Sequence, residues 1–126
     1  MIVALAVAAA SVPSVAEMRW QRRVLVVAAP AAGDQALAAQ REALLGWRQG
    51  ARDRDVQVVE LIGDRVTGAR DTAAALRARL RLPLDRFALA LIGKDGHVAL
   101  RSGEPVSAEA LQDRIDAMPM RRAGQR

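Results

Sequence analysis

Four short apolar stretches along the chain predict four β-strands. They cover residues 24–28 (VLVVA), 56–62 (VQVVELI), 87–92 (FALALI) and 97–101 (HVALR). The first and third stretches are apolar at every position, which is typical of strands that are covered on both faces at the centre of a sheet. The second contains Gln57 and Glu60 and the fourth alternates apolar and polar positions, so we expect these two strands at the edges.

Three segments between and after these strands have the composition of helices, and they cover residues 35–49, 72–82 and 108–118. The predicted N-caps carry short polar side chains that accept hydrogen bonds from the first-turn N–H groups: Asp34, Asp71 or Thr72, and Ser107. The predicted helix ends are residues that stop a helix: Gly50, Pro83 and Pro119. Residues 63–70, which include two glycines, are expected to form a loop.

The order of these elements along the chain is β-α-β-α-β-β-α. A right-handed crossover places the second strand beside the first. The turn at residues 93–96 (GKDG) has the composition of a hairpin turn, so it places the fourth strand antiparallel to the third. We therefore expect an α/β fold with a four-stranded mixed sheet in the order 2-1-3-4, which is the arrangement of the minimal thioredoxin-like fold.

The first sixteen residues differ from the rest in composition. Residues 2–10 are uniformly apolar, a run too short to span a bilayer, and a proline and small residues follow before the first charge. We expect residues 1–16 to be a signal peptide, residues 17–122 a thioredoxin-like domain and residues 123–126 a flexible basic tail. The protein would then be exported, periplasmic or secreted, and would meet a membrane only in transit. A buried N-terminal strand or an uncleaved anchor remains open, because no basic residue directly follows Met1.

Composition narrows the classes of function. The absence of cysteine excludes thiol catalysis, disulfides and zinc–thiolate sites. The formal net charge of +5 favours anionic partners such as phospholipid or acidic polysaccharide. With two Trp and one Phe available for base stacking, nucleic acid is not an expected partner.

Residues that could carry catalysis are few. In thioredoxin-like folds the reactive position follows the first strand, and here that turn (residues 29–34) offers only Asp34, which serves better as a helix cap. His97 is the sole histidine, and Asp95 beside it fits turn chemistry. Asp53 and Asp55 are expected in a solvated connector, pairing locally with arginines, and supply too few oxygens for a cation. We therefore predict no catalytic residues, no metal and no cofactor.

The binding candidates are basic residues, with one acid, that the fold does not itself require. Lys94 and Arg101 are cations on the predicted hairpin, whose glycine and aspartate content the bend already explains. The full predicted set is Arg23, Lys94, Asp95, Arg101, Arg121 and Arg122. Trp20, in the polar lead-in to the first strand, is expected to lie over the edge of the core, with ligand stacking as the alternative.

Two stretches carry a resemblance to a known family. They are LIGKDGHVALR at residues 91–101 and IDAMPMRR at residues 115–122, supported by Trp20, Arg23 and Pro30 in the first half. Together they resemble the domain of unknown function 4174, found in small, mostly exported bacterial proteins. A related module (P-DUDES type) occurs in animal sushi-repeat-containing and coiled-coil-domain-containing matrix proteins. The resemblance implies a thioredoxin-like fold without redox cysteines, export, and an extracellular binding role.

Three hypotheses follow. The first is a non-catalytic, exported, thioredoxin-like domain without redox activity that binds an unknown protein or an anionic envelope component. The second is an enzyme with a non-thiol site near Lys94, Asp95 and Arg101. The third is a cationic binder of anionic envelope polymers or lipids. Convergence of the six binding candidates on one concave site would favour the enzyme, and their dispersal would remove its support.

Overall fold

The computed structural model describes residues 12–124, which form a mixed α/β fold. Its strands are β1 (Arg23–Ala29), β2 (Val56–Ile62), β3 (Arg65–Thr67), β4 (Ala88–Ile92) and β5 (Val98–Ser102). Its helices are α1 (Gln35–Leu45), α2 (Arg48–Asp53), α3 (Ala73–Leu80), α4 (Ala108–Asp116) and α5 (Pro119–Arg122), and a 3-10 turn at Ala16–Met18 precedes β1.

The described strands form one five-stranded sheet in the order β3-β2-β1-β4-β5. Strands β1 and β2 are parallel, and the other neighbouring pairs are antiparallel. Every residue of β1 and of β4 is buried, which confirms the prediction that these two apolar strands are central.

Helices cover both faces of this sheet and create a core on each. On one face Val26 and Ala28 of β1 pack in a cluster with Leu76 of α3. On the other face Leu25 packs with Leu37 of α1, and Leu111 of α4 belongs to the same cluster. Because successive side chains of a strand point to opposite faces, an uninterrupted apolar β1 supplies both cores at once.

The sheet has one strand more than the four predicted. Strand β3 lies within residues 63–70, which were expected to form a loop, and it pairs antiparallel with Glu60–Ile62 of β2. Gly63, with φ +60°, begins the tight turn that reverses the chain. Three residues, two of them polar, are too few to show a strand pattern in the sequence. Because β3 pairs with β2, the prediction that β2 is an edge strand was wrong.

The helix predicted over residues 35–49 is two helices. It ends at Leu45, and Gly46 is its C-cap. The Trp47 side chain is buried and its indole N–H donates to Gln112 at 3.0 Å. Gly50 lies inside α2, so its prediction as a helix end was wrong: a Cβ there would stand 2.2 Å from the Trp47 indole nitrogen. The glycine leaves room for the tryptophan.

The helix starts agree with the prediction. Asp34 accepts from the Leu37 N–H, Thr72 from Ala75 and Ser107 from Ala110. The ends are less regular, because α4 stops at Asp116 and Pro119 occupies the first turn of α5 rather than simply ending α4.

The two terminal predictions fall partly outside the described residues. Residues 1–11 of the predicted signal peptide and residues 125–126 of the predicted tail are among those not described. Within the described part, Val15 and Met18 are buried in one core cluster, and the Val15 N–H donates to Asp71 at 2.8 Å. Across residues 12–124, none of the helices has both the length and the apolar content that a membrane crossing requires.

Candidate functional site

A cavity of about 330 Å³ lies where the start of β1, the turn after β4 and the α4–α5 junction meet. Its charged and polar lining comes from Arg23, Lys94, Asp95, His97 and Arg114. Its apolar lining includes Trp20, Val98, Met118, Pro119 and Met120. We call it the basic cavity, because three cations and one carboxylate face it.

Arg23 is buried at this cavity although it carries a charge. It is the first residue of β1 and is 1% exposed. Its guanidinium donates to the Arg54 carbonyl at 2.6 Å. Burial lowers the pKa of Arg23, and the Arg121 cation lowers it further, while Asp55 and Asp116 act in the opposite direction. An arginine remains protonated under all ordinary conditions, so the chain holds a buried positive charge here.

Arg54 and Arg121 converge on one carboxylate behind Arg23. Arg54 donates from two nitrogens to the two Asp116 oxygens, at 3.0 and 3.1 Å. Arg121 Nε donates to the same carboxylate at 3.2 Å. The hydrogen bond from Arg54, followed by that from Arg121, holds the pKa of Asp116 below its ordinary value. This network ties the end of α4 to the connector that precedes β2.

Lys94 is placed by a second ion pair. Its ammonium lies 2.9 Å from a carboxylate oxygen of Asp55 and is almost completely buried. The Lys94 carbonyl in turn accepts the Trp20 N–H at 2.6 Å. The hairpin turn is therefore fixed to the lead-in of β1 on one side and to the start of β2 on the other.

Positive charge exceeds negative charge in this part of the molecule. Five cations, Arg23, Arg54, Lys94, Arg114 and Arg121, stand against three carboxylates, Asp55, Asp95 and Asp116. The surplus is two positive charges, and three of the cations, Arg23, Arg54 and Lys94, are buried. Because water screens a buried charge less, an anion beside these cations would be attracted more strongly than at a fully exposed arginine.

Two residues of the site have backbone conformations that ordinary residues avoid. Trp20 has φ +72° and Asp55 has φ +52°, and the one further non-glycine residue with positive φ in residues 12–124 is Arg81, which caps α3. For a bulky residue such as tryptophan this conformation costs roughly 1–2 kcal/mol. Strain of this kind is commonly found at functional sites.

The structure brings together some of the residues predicted for binding but not all of them. Arg23, Lys94 and Asp95 line the basic cavity. Arg121 does not line it and pairs with Asp116, the residue before the lining residue Ala117. Arg101 donates instead to the Leu80 carbonyl at the end of α3. Arg122 is exposed on α5.

Several site residues were missed or misplaced by the sequence analysis. Arg54 and Asp55 were expected in a solvated connector, yet Arg54 is buried and both make ion pairs distant in sequence. Asp116 and Arg114 were not singled out. Trp20 does not cover the core edge, since it is 59% exposed. Asp116 lies in the IDAMPMRR stretch, which was noticed through the family resemblance. The hydrophobic pattern of that stretch gave no reason to assign Asp116 a role.

The turn after β1 is different in character. Residues 31–33 are exposed, and the Asp34 carboxylate accepts from the first turn of α1. A search over the described part of the chain shows no group of three or more His, Asp or Glu side chains arranged to hold a metal ion.

Residues 14–124 match the family model described as Domain of unknown function (DUF4174). The matched region includes every helix and strand within residues 12–124 and every residue that lines the basic cavity.

Proposed function

This chain belongs to the DUF4174 family, and we propose that it is a non-catalytic, exported binding domain that holds an anionic group of its partner in the basic cavity. The excess of positive charge at a cavity whose lining includes the buried cations Arg23 and Lys94 carries this proposal. A single charge pair at about 4 Å contributes about 4 kcal/mol at an effective dielectric constant near 20, against about 1 kcal/mol in water. The cavity therefore attracts an anion more than the overall charge of +5 does.

The arrangement of cations supports binding of one defined group. Burial lowers the pKa of Arg23, and repulsion from Arg121 lowers it further, so the charged guanidinium is disfavoured where it lies. An anion in the cavity that Arg23 lines would stabilise that charge. The ion pairs with Asp55 and Asp116 hold the cations in position before a ligand arrives, so little ordering is needed on binding.

A thioredoxin-like fold is part of the same proposal. Strand β1 between a parallel β2 and an antiparallel β4, followed by the β4–β5 hairpin and α4, supports it. Strand β3 would then be an addition beside β2. The cysteine-free sequence supports a role without thiol redox chemistry.

Export rests on the composition of residues 1–16. We expect the exported protein to lack the apolar run at residues 2–10 and to retain Val15, which packs in the core, and N-terminal sequencing of periplasmic or secreted material measures where it begins. Recovery of the intact chain from the cytoplasm alone would contradict export without affecting the binding site.

An enzyme at Lys94, Asp95 and Arg101 is the alternative with less support. Arg101 hydrogen-bonds to Leu80 rather than to the cavity, and Asp95 accepts the His97 N–H within its own turn. A cationic surface for envelope polymers or lipids is the other alternative, and it predicts binding spread over exposed arginines.

The test is a titration of the ¹⁵N-labelled protein with acetate and with sulfate, followed by amide chemical shifts. We expect saturable shifts confined to residues 93–99 and 117–120, weakened at least tenfold by Lys94→Gln and reduced by added salt. Arg86→Gln is the matched control, because Arg86 is an exposed cation outside the cavity.

Two outcomes would contradict the proposal. One is a set of shifts that stay linear in anion concentration. The other is equal binding by wild type and Lys94→Gln. If anionic vesicles bind wild type and Lys94→Gln equally but lose affinity in Arg86→Gln, the surface alternative is favoured.

A further inference from the structure

We infer that the ligand of the basic cavity is a small aromatic anion, whose ring stacks on Trp20 while its carboxylate or phosphate contacts the cations. This inference rests on the proposed function and adds the chemical class of the ligand. The chain has two tryptophans, and they differ sharply: Trp47 is buried in the core, whereas Trp20 lines the cavity and is largely exposed. An exposed indole beside buried cations offers both halves of such a ligand a partner.

The position of Trp20 is fixed in advance of binding. Its backbone N–H donates to the Lys94 carbonyl, which fixes the main chain at Trp20 against the hairpin turn. Its φ of +72° is a conformation that a glycine would adopt without strain. The chain instead places its one exposed tryptophan there, in contact with the cavity.

Arg19 adds a second contact that orients the indole. Its guanidinium lies 5.1 Å from the centre of the Trp20 ring, within the range of a cation–π interaction. The Arg19 side chain also packs against Gly96, where a Cβ would stand 3.3 Å from its Cδ. A side chain at position 96 would crowd Arg19, so the turn glycine leaves room for the guanidinium that lies over the indole.

Size and lining favour a ligand of one or two rings. The volume of 330 Å³ is near the lower end of the roughly 300–1,000 Å³ typical of small-molecule sites. Met118 and Met120 line the wall, and methionine sulfur makes favourable contacts with ring edges. Val98 and Pro119 complete an apolar surface for the body of the ligand.

The test uses isothermal titration calorimetry to compare three monocarboxylates of equal charge, with phenyl phosphate, which carries nearly two charges at neutral pH, as a second aromatic probe. Benzoate and phenyl phosphate carry a ring, cyclohexanecarboxylate has a ring-sized body without aromaticity, and acetate has no body. We expect benzoate or phenyl phosphate to bind about five- to tenfold more tightly than cyclohexanecarboxylate, and the better of the two identifies the anionic group. Trp20→Leu should abolish that preference, and Trp20→Phe should retain most of it.

Fluorescence gives an independent readout at the same residue. Binding of an aromatic anion should change wild-type emission, and the change should disappear in Trp20→Phe, which retains Trp47. Urea unfolding of the variants establishes that they are folded. If Trp20→Leu does not fold, the probe series on wild type and Trp20→Phe still shows whether aromatic anions bind more tightly than cyclohexanecarboxylate.

The outcomes separate this inference from the proposed function. If benzoate and cyclohexanecarboxylate bind equally and Trp20→Leu changes neither, the aromatic ligand is ruled out while anion binding stands. If none of the four probes binds wild type, the proposed function fails together with this inference.

Discussion

Strand β1 begins with a buried arginine and ends in a turn of small residues. At its amino-terminal end, Arg23 lies among ion pairs that join three segments distant in sequence. At its carboxyl-terminal end, Ala29 leads into the turn at residues 30–34, whose one charged residue is Asp34. Both ends terminate the same uniformly buried strand.

The two ends of β1 differ in the groups that could attract an anion. The turn after β1 leads to the start of α1, and a helix N-terminus attracts anions through its free N–H groups. Here the Asp34 carboxylate already accepts one of those N–H groups. At the opposite end, side chains supply the charge instead. Arg54 and Arg121 also lie at the carboxyl end of α4, where cations are favourable.

Arg54→Met is the substitution expected to have the largest effect, because it removes an ion-pair partner near the amino-terminal end of β1. Removing one partner of a buried ion pair typically costs about 3–5 kcal/mol. Asp116 retains Arg121 and its side chain is 40% exposed, so its pair with Arg54 contributes less than a fully buried one. Arg54→Met also removes the donor to the Gly50 carbonyl, and we therefore expect a loss of about 1–2 kcal/mol in the free energy of unfolding. Urea denaturation measures this loss.

Arg48→Met is the matched control for Arg54→Met. Arg48 is exposed at the first position of α2, the helix whose C-cap is Arg54, so its replacement should change stability by no more than about 0.5 kcal/mol. Equal losses in the two variants would show that the network around Asp116 contributes little.

Asp34→Ala probes the other end of β1. Loss of the N-cap of α1 should cost about 1 kcal/mol of stability in urea unfolding, and anion titrations at the cavity should be unchanged. Asp34→Asn retains an N-cap and should be close to wild type. Weakened anion binding in Asp34→Ala would mean that the two ends of β1 are coupled and that the cavity does not bind anions independently of the turn after β1.

Local signals made much of the fold predictable. The N-caps Asp34 and Ser107 and the strand at Val56–Ile62 depend on the chemistry of neighbouring residues, and the structure has them as predicted. Strand β3 was not predictable in the same way, because its three residues acquire a strand conformation by pairing with β2. The break at Gly46 likewise depends on where Trp47 packs.

The site was less predictable because its residues find distant partners. Arg54 looked like one member of a solvated charge run, and its partner Asp116 lies 62 residues away. Arg101 appeared available for binding, yet the Leu80 carbonyl at the end of α3 accepts its guanidinium. Lys94, in contrast, was singled out because the hairpin did not require it, and the structure places it in the cavity wall.

The smallest expected effect is that of lowering the pH on the ion pairs of Asp116, near the amino-terminal end of β1. Hydrogen bonds from Arg54 and Arg121 lower the pKa of Asp116 from its ordinary value of 3.8. Since the folded-state pKa lies below the unfolded one, the ion pairs stabilise the protein fully above the unfolded value and are lost as pH falls through the folded value.

The partial exposure of Asp116 limits this contribution to less than about 1 kcal/mol. Comparing wild type with Asp116→Asn isolates it from other acids, and we expect the difference between their unfolding free energies at pH 7 to narrow progressively as pH falls below 3.8. A difference that does not narrow as the pH is lowered would indicate that Asp116 acts through packing rather than charge.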